Sequence, residues 1–566
     1  METRRMSGAE ALMSTFLDEG VDTIFGYPGG TIMPVYDKLY DYTDRLNHVL
    51  VRHEQGAVHA AEGYARSTGK VGVCMATAGP GATNFITGIA DAMMDSTPLV
   101  CITAQVNADK LGTNFFQEAD MIGITIPITK WSYQISDAGE IPTVMAQAFH
   151  IAQSGRPGPV LVSLTRNAQV EMMNYCYNKE EAVGLLGKEA FVEDPRFLEK
   201  VEEAAHDLNN AQRPLVIAGH GVILSGGCEK LKECAAKANI PVAVTLLGMG
   251  AIAQNDPNFV GMVGMHGNVA PNAMTQNADV ILAVGMRFSD RVTGEVNGYA
   301  PKAKIIHVDI DMAEFDKNVK AHLTLQSDAK VFLEALCSRL EYRERGEWAN
   351  LYKEKRSFEL ENVMGPQLNS ATLTMAQVVD AVTKAGKKQK VVVTDVGQNQ
   401  MFAARYSKLE GSMNWVTSGG LGTMGFGLPA AIGAKAGNPE ADVVLFTGDG
   451  GLQMNIQELG TILHTGLPVK IVLLNNSYLG MVRQWQELFF ERRYSFTHLV
   501  NPDFKLLSAS YGIRYARVER VEELEEAVEQ MMRHNGPFFL EAAMEEQENV
   551  FPMIPAGKTL NDIIFK

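Results

Sequence analysis

Asp449 and Asn476 are an acid and an amide 27 positions apart, each directly after a short apolar run, and such a pair can hold a hard cation. The first run, Asp442-Val443-Val444-Leu445-Phe446-Thr447, is β-rich and bounded by glycine, which predicts a buried strand ending at Gly448-Asp449-Gly450. Gly450 and Gly451 leave backbone N–H groups bare where a helix opens at Leu452, an arrangement that holds phosphate. The second run, 469–474, ends in Asn475-Asn476, and consecutive parallel strands bring both ends to one sheet edge. A carboxylate, an amide oxygen and a loop carbonyl beside a pyrophosphate suit Mg²⁺, which takes oxygen ligands and binds together with phosphate. A bare Gly-Asp-Gly is in most proteins only a strand–turn–helix with a capping Asp. Asn-Asn at this interval makes it a candidate cation site.

The elements that position these groups follow an α/β rhythm. The 566 residues are enough for three to four domains, and 46% apolar content supplies several cores. Residues 1–168 carry near-unbroken apolar runs at 71–76, 98–104 and 159–164, as parallel strands covered on both faces require. The rhythm lapses over 169–190 and resumes with strands expected at 214–218, 241–246, 278–284 and 304–310, defining a second domain over 190–340. A charged helical stretch over 340–370, irregular at Met364-Gly365-Pro366-Gln367, reads as another linker. The third domain spans 372–566, with strands at 390–395, 442–447, 469–474 and 538–543. The fold class is therefore α/β, with three doubly wound parallel sheets.

A formal charge of −16 argues against nucleic acid or an anionic membrane surface as partner. Six cysteines without a C-x-x-C pair read as reduced thiols. The N-terminus passes directly into a helical pattern without an apolar leader, so a cytoplasmic protein is expected.

The pattern GDG, about twenty-five residues, NN resembles the thiamine diphosphate (ThDP) binding motif. The phrases around it resemble the FAD-containing acetohydroxyacid synthases, the biosynthetic acetolactate synthases, in their catalytic subunit. The resemblance spans nearly the whole chain and implies ThDP, Mg²⁺ and FAD as cofactors. It makes Asp449, Asn476 and the Tyr478 carbonyl the Mg²⁺ ligands, with Gly397, Gln398, Gly450 and Gly451 at the diphosphate. Met424, in Ser418-Gly419-Gly420-Leu421-Gly422-Thr423-Met424-Gly425, would wedge under the bent cofactor. Read alone, Met424 is a core side chain.

In the first domain Glu54 of Arg52-His53-Glu54-Gln55-Gly56 reads by itself as a helix-start carboxylate stabilised by the dipole. By resemblance it hydrogen-bonds the cofactor's aminopyrimidine and drives the proton relay that ionises the thiazolium, a positioned transfer worth roughly 10²–10⁴-fold. The turn carrying Gly29 and Gly30 would lie at the cofactor, and Phe116 and Gln117 would face substrate and cofactor. Asn114 and Phe115 replace the family's usual Asp and Ala. Arg166 lies in Ser163-Leu164-Thr165-Arg166-Asn167, where the family typically has Asp-Ile-Pro-Lys-Asp, and is the candidate at the substrate entrance.

In the second domain Gly219, His266, Gly267, Arg287 and Asp309 fall in phrases that resemble the FAD-binding domain, in which the flavin takes no net electrons. Arg291 is the candidate partner of a substrate carboxylate, since an Arg–carboxylate pair is charge-assisted and often bidentate. Met265, Met481 and Trp485 would line the pocket beside Phe116. The implied reaction decarboxylates pyruvate and joins the hydroxyethyl unit to pyruvate or 2-ketobutyrate. The implied assembly is a homodimer or homotetramer with the site between subunits, and a separate small regulatory subunit is compatible with it. Two alternatives are a flavin-redox relative such as pyruvate oxidase and a catalytically silent ThDP-binding regulator. The Arg287-to-Gly294 phrase argues against the first, and retention of Glu54, Asp449 and Asn476 against the second.

Overall fold

Glycine and β-branched runs that end at polar residues become, in the computed structural model, three six-stranded sheets in which every strand pairing is parallel. The structure describes residues 4–187, 194–387, 389–409 and 411–565, so the expected domain limits at 1, 190 and 566 lie outside the described residues. The N-terminal sheet contains Thr23–Gly26, Asn47–Leu50, Gly72–Ala76, Leu99–Gln105, Trp131–Ile135 and Pro159–Thr165. The C-terminal sheet contains Lys390–Thr394, Trp415–Val416, Asp442–Gly448, Lys470–Asn475, Arg514–Val518 and Phe538–Ala543. With strands numbered along the chain within each sheet, both have the spatial order 2-1-3-4-6-5. The central sheet, from Pro214–Ala218 to Leu323–Gln326, has the order 3-2-1-4-5-6. That is the order of dinucleotide-binding domains, and in all three sheets the direction of winding reverses beside the first strand, where open α/β sheets bind ligands.

The fully apolar runs form the middle strands: Leu99–Gln105 and Pro159–Thr165 are buried at every position. Outer strands such as Trp131–Ile135 and Arg514–Val518 are half exposed and carry no such run. Both expected linkers are more ordered than their composition implies. Met172–Tyr175 pairs antiparallel with Arg4–Ser7, so the N-terminus opens on a strand before the Gly8–Asp18 helix, and the two segments tie the first domain shut. Helix Gly346–Glu359 buries Trp348 and Glu359, and its helical path runs on through Leu360–Met364 and Gly365–Leu368 instead of becoming irregular at Met364.

The outer domains meet through helices Glu54–Thr68 and Gly427–Gly437, which pack backbone to backbone. A Cβ on Gly63 would lie 2.0 Å from the Ala430 carbonyl oxygen, and one on Gly433 would lie 1.7 Å from that of Ala60. Small residues on both helices permit that approach. One apolar core accordingly runs through both domains, joining Phe25, Val58 and Phe85 to Phe426, Leu445 and Ile471. No described helix is long and apolar enough to cross a membrane.

Candidate active site

Strand Asp442–Gly448 lies directly beside Lys470–Asn475, with Gly448 in register with Leu474, so Asp449 and Asn476 emerge at the same sheet edge. The helix opens on Asp449 itself, three residues earlier than Leu452, and runs to Met454. Asp449 is buried, and burial pushes its carboxyl above the ordinary range while a hydrogen bond from Asn501 pulls it back. Asn501 was not anticipated: its Nδ2 donates to Asp449 Oδ2 at 2.7 Å and to Asn475 Oδ1 at 2.9 Å, spanning the two strand ends. Asn476 donates to Gln398 Oε1 at 3.1 Å, which brings the end of a third strand to the same place. The isolated bridge between Tyr478 and His498 is closed by Ser477 and Leu479, leaving the Tyr478 carbonyl outside its hydrogen bonds.

Glycines at this edge stand where no side chain fits. A Cβ on Gly451 would lie 2.2 Å from Asp395 Oδ1, and one on Gly450 would lie 2.6 Å from Leu479 and 3.5 Å from the Met424 methyl. Gly397 has φ +133°, a conformation that L side chains rarely adopt. Buried Asp395, a second residue the motifs did not flag, accepts from the amides of Gly425 (3.1 Å) and Gly427 (2.9 Å) and so fixes the loop that carries Met424. A buried acid, an amide oxygen, a carbonyl outside the bridge and side-chain-free turns form an oxygen donor set beside bare backbone, the chemistry a Mg²⁺–diphosphate group needs.

The N-terminal edge gathers a different set. Glu54 is the first residue of its helix and accepts from Asn84 Nδ2 at 2.9 Å. The segment just before it is held from the other outer domain: buried Glu458 accepts from the Arg52 and His53 amides at 3.0 Å and from the Thr461 hydroxyl at 2.6 Å. Gly29 packs on Thr77, Gln117 (φ +64°) packs on Gly79, and Arg166 donates to the Gly30 carbonyl at 2.8 Å. Glu54, Gly29, Gly30, Gln117 and Arg166 therefore share the C-terminal strand ends of one sheet.

Between the domains lies a cavity of about 710 Å³ whose wall includes His266, Arg287, Asp309, Arg291, Met265, Met481 and Trp485. Asp309 is pushed up to about 7 by burial. His266 is buried, with its ring depressed to about 3 by burial and then by Arg405 and Arg291, so it is neutral, and its Nδ1 has no hydrogen-bond partner. That orphaned ring nitrogen, with Arg287 and Arg291 on the same wall, suits a large polar, anionic cofactor. Arg291 reaches toward Met265, with Nη1 3.4 Å from Sδ.

Three sets of expected site residues lie off this cavity wall within one chain. Phe116 is 80% exposed and does not line the cavity beside Trp485 and Met265, because it sits on a projecting loop that turns at Asn114 (φ +57°). Gly219 and Gly267 are packing positions outside the cavity wall: a Cβ there would strike the Gly285 carbonyl oxygen at 2.2 Å and the Met262 carbonyl oxygen at 2.4 Å. Within one chain the Glu54 cluster is likewise not part of the cavity wall.

A buried acidic junction joins the three parts. Asp91 Oδ1 accepts from the hydroxyls of Ser418 (2.5 Å) and Thr423 (2.8 Å), and Asp95 accepts from the amides of Gly419 (2.9 Å) and Gly420 (2.6 Å) and from Arg66 (3.1 Å). His220 of the central domain donates to the Asp95 carbonyl at 3.0 Å. Burial, with Glu62 and Asp95 close by, drives the Asp91 carboxyl well above the usual range. The Met424 loop is thus held from the first domain as well as from its own.

Comparison with known proteins accounts for this layout. Residues 6–124 match the N-terminal TPP binding domain of thiamine pyrophosphate enzymes, residues 201–336 the central domain, and residues 395–542 the C-terminal TPP binding domain. The three domains define a thiamine pyrophosphate enzyme. The chain is 44% identical over 565 residues to the acetolactate synthase isozyme 2 large subunit of Escherichia coli, covering 99% of this chain and 100% of that one. It is 42% identical over 573 residues to a probable acetolactate synthase large subunit of Methanocaldococcus jannaschii (99% and 95% covered). It is also 42% identical over 577 residues to the acetolactate synthase large subunit of Corynebacterium glutamicum (99% and 90%). The chain belongs to the acetolactate synthase large-subunit family.

Proposed function

We propose that the protein decarboxylates pyruvate and joins the remaining two-carbon unit to a second 2-oxo acid, giving acetolactate from pyruvate or acetohydroxybutyrate from 2-ketobutyrate in branched-chain amino acid synthesis. The observation that carries this reading is likeness at 44% identity over 99% of the chain to an acetolactate synthase large subunit. The two strand-end clusters around Glu54 and Asp449 add a physical basis.

ThDP would supply, when bound, a carbon acid and an electron sink for the decarboxylation of a 2-oxo acid. Glu54 would hold and move a proton at the aminopyrimidine, with Asn84 fixing one carboxyl oxygen. Gly397, Gln398, Gly450 and Gly451 would present backbone and amide groups to the diphosphate. Asp449, Asn476 and the Tyr478 carbonyl would ligate Mg²⁺. Met424 would support the cofactor, held by Asp395, Asp91 and Asp95 through its loop. FAD would occupy the central cavity as a structural group, against His266, Arg287 and Asp309. Arg291 would pair with a substrate carboxylate, while Met265, Met481 and Trp485 shape the acceptor pocket. Exposed Phe116, together with Gln117 and Arg166, would complete that pocket from a second subunit, which supports a homodimer or homotetramer. Six cysteines without a C-x-x-C pair support a cytoplasmic location.

Incubation with pyruvate, ThDP and Mg²⁺, following CO₂, acetolactate and oxygen uptake together, tests the reading. Acetolactate should form at one molecule per two pyruvates without oxygen uptake. Oxygen consumption matching CO₂ release would replace the reading with pyruvate oxidase, and no CO₂ at all would favour a silent ThDP-binding regulator.

A further inference from the structure

A second cavity, of about 460 Å³, opens between the central and C-terminal domains, away from the Asp449 edge. Six cationic side chains line it: Arg356, Lys384, Lys387, Lys390, Arg405 and Lys408, and no carboxylate appears among its described lining residues. In a chain of net charge −16 such a concentration is against the average. Part of the charge is spent internally. Arg405 pairs with buried Glu359 at 2.6 Å, Asp380 meets Lys384 at 2.5 Å and Lys408 at 3.6 Å, and Lys390 donates to the carbonyls of Val382 and Thr383 at the end of helix Met375–Lys384. Against these cations stand Glu359, Asp380 and Asp442, the last accepting from the Lys387 amide at 2.7 Å, so even with Lys390 set aside the described wall is net positive. Among the described residues, Arg356 meets the Met364 sulfur at 3.9 Å and the Lys387 ammonium the Glu440 carbonyl oxygen at 2.9 Å, and neither forms an ion pair. Like charges gathered in a partly desolvated concavity repel one another and focus a positive field, which an anion relieves.

We propose that this cavity binds a small organic anion, a carboxylate or phosphate head on an apolar body. Arg356, Lys387 and Lys408 would receive the head, while Phe259, Tyr352 and Met364 contact the body. The volume suits a single small metabolite. The charged groups among the described lining residues are cationic, so an amino acid's ammonium would meet like charge and the site favours the oxo-acid or phosphate counterpart. The wall also has a line to the main cavity. Arg405 donates to the His266 (3.2 Å) and Gly267 (2.8 Å) carbonyls, and Asn268 donates to Glu359 at 2.8 Å, so the loop that presents Met265 and His266 hangs on residues of this second cavity.

Calorimetric titration of the full-length protein with benzoate, phenyl phosphate, phenylalanine and benzyl alcohol tests the proposal, since the four share a phenyl body and differ in head group. Benzoate or phenyl phosphate should bind, the tighter of the two naming the head, and phenylalanine and benzyl alcohol should not. In Arg356→Glu/Lys387→Glu the anion should bind about tenfold or more weakly while acetolactate formation at saturating pyruvate is kept. Should that variant fail to fold, the neutralising pair Arg356→Gln/Lys387→Gln should still weaken binding, and raised salt should weaken it in the unaltered protein. Equal binding by any folded variant, or no heat from either anion at millimolar concentration, overturns the proposal. Because acetolactate formation is read separately, that outcome leaves the carboligase reading standing.

Discussion

The N-terminal and C-terminal sheets have the same strand order, 2-1-3-4-6-5, yet the places where their winding reverses hold opposite chemistry. In the first domain that place is glycine turns against Thr77 and Gly79, with one carboxyl, Glu54, offered at a helix start. In the third it is a buried acid that accepts from Asn501, which also donates to Asn475, with an Asn476–Gln398 pair at the same edge and turns with no room for a Cβ. Topology supplies the location and the side chains supply the function. On the proposed function, one copy would handle a proton and the other would grip an anion through a cation.

Substitutions separate the shared frame from the divergent sites. The largest effect should come from the frame: Gly433→Val places a branched side chain where a Cβ alone would sit 1.7 Å from the Ala60 oxygen, so the domains must part and soluble protein should be lost. Gly30→Ala, with nothing within 4 Å, should leave thermal unfolding unchanged. Next in size is Glu54→Gln, expected to lower turnover by roughly 10²–10⁴-fold with cofactor binding retained. Near-normal acetolactate formation would remove Glu54 from the chemistry. At the other edge, Asn501→Ala should weaken Mg²⁺ activation by about 10–100-fold, as loss of a residue that orients a metal ligand does, and Asp449→Ala should weaken it further. An unchanged half-saturating Mg²⁺ concentration in both would mean that the two edges do not differ as described.

A smaller effect concerns acceptor choice. One methylene separates 2-ketobutyrate from pyruvate, worth roughly 1–3 kcal/mol in a pocket. Trp485→Leu should cut the preference for 2-ketobutyrate and spare acetolactate formation, and competition between the two acids measures it. The smallest is a pH effect. Burial raises the Glu548 carboxyl from 4.5 to about 7. The folded protein favours its neutral form, so that contribution is present below about 4.5 and is lost as pH rises through about 7. Glu548→Gln should therefore melt a few °C above the unaltered protein at pH 8 and close to it at pH 5.

The sequence made the middle of each sheet legible, because strands such as 99–105 and 442–448 are continuous apolar runs, and it made strand ends legible because glycine and acid follow them directly. Edge strands escaped notice, since half-exposed segments like Arg514–Val518 have no apolar signature. Motif spacing located Asp449 and Asn476 but not Asn501, whose partners are 52 and 26 positions away on other elements. Asp91 and Asp95 belong to no motif in the sequence, and only folding brings them to Ser418 and Gly419, more than 300 positions on. Phe116 shows the converse: a residue legible by resemblance projects into solvent from its own chain.

The grip of Glu458 on the amides of Arg52 and His53 has a consequence in time. The two partners are separated by 406 and 405 positions, so at ribosomal rates of 5–20 residues per second roughly 20–80 s pass between making the Glu54 helix and making the carboxylate that secures its start. A nascent or truncated first domain can close its sheet but leaves those amides to water. The start of the Glu54 helix is thus finished last, although its residues are synthesised first.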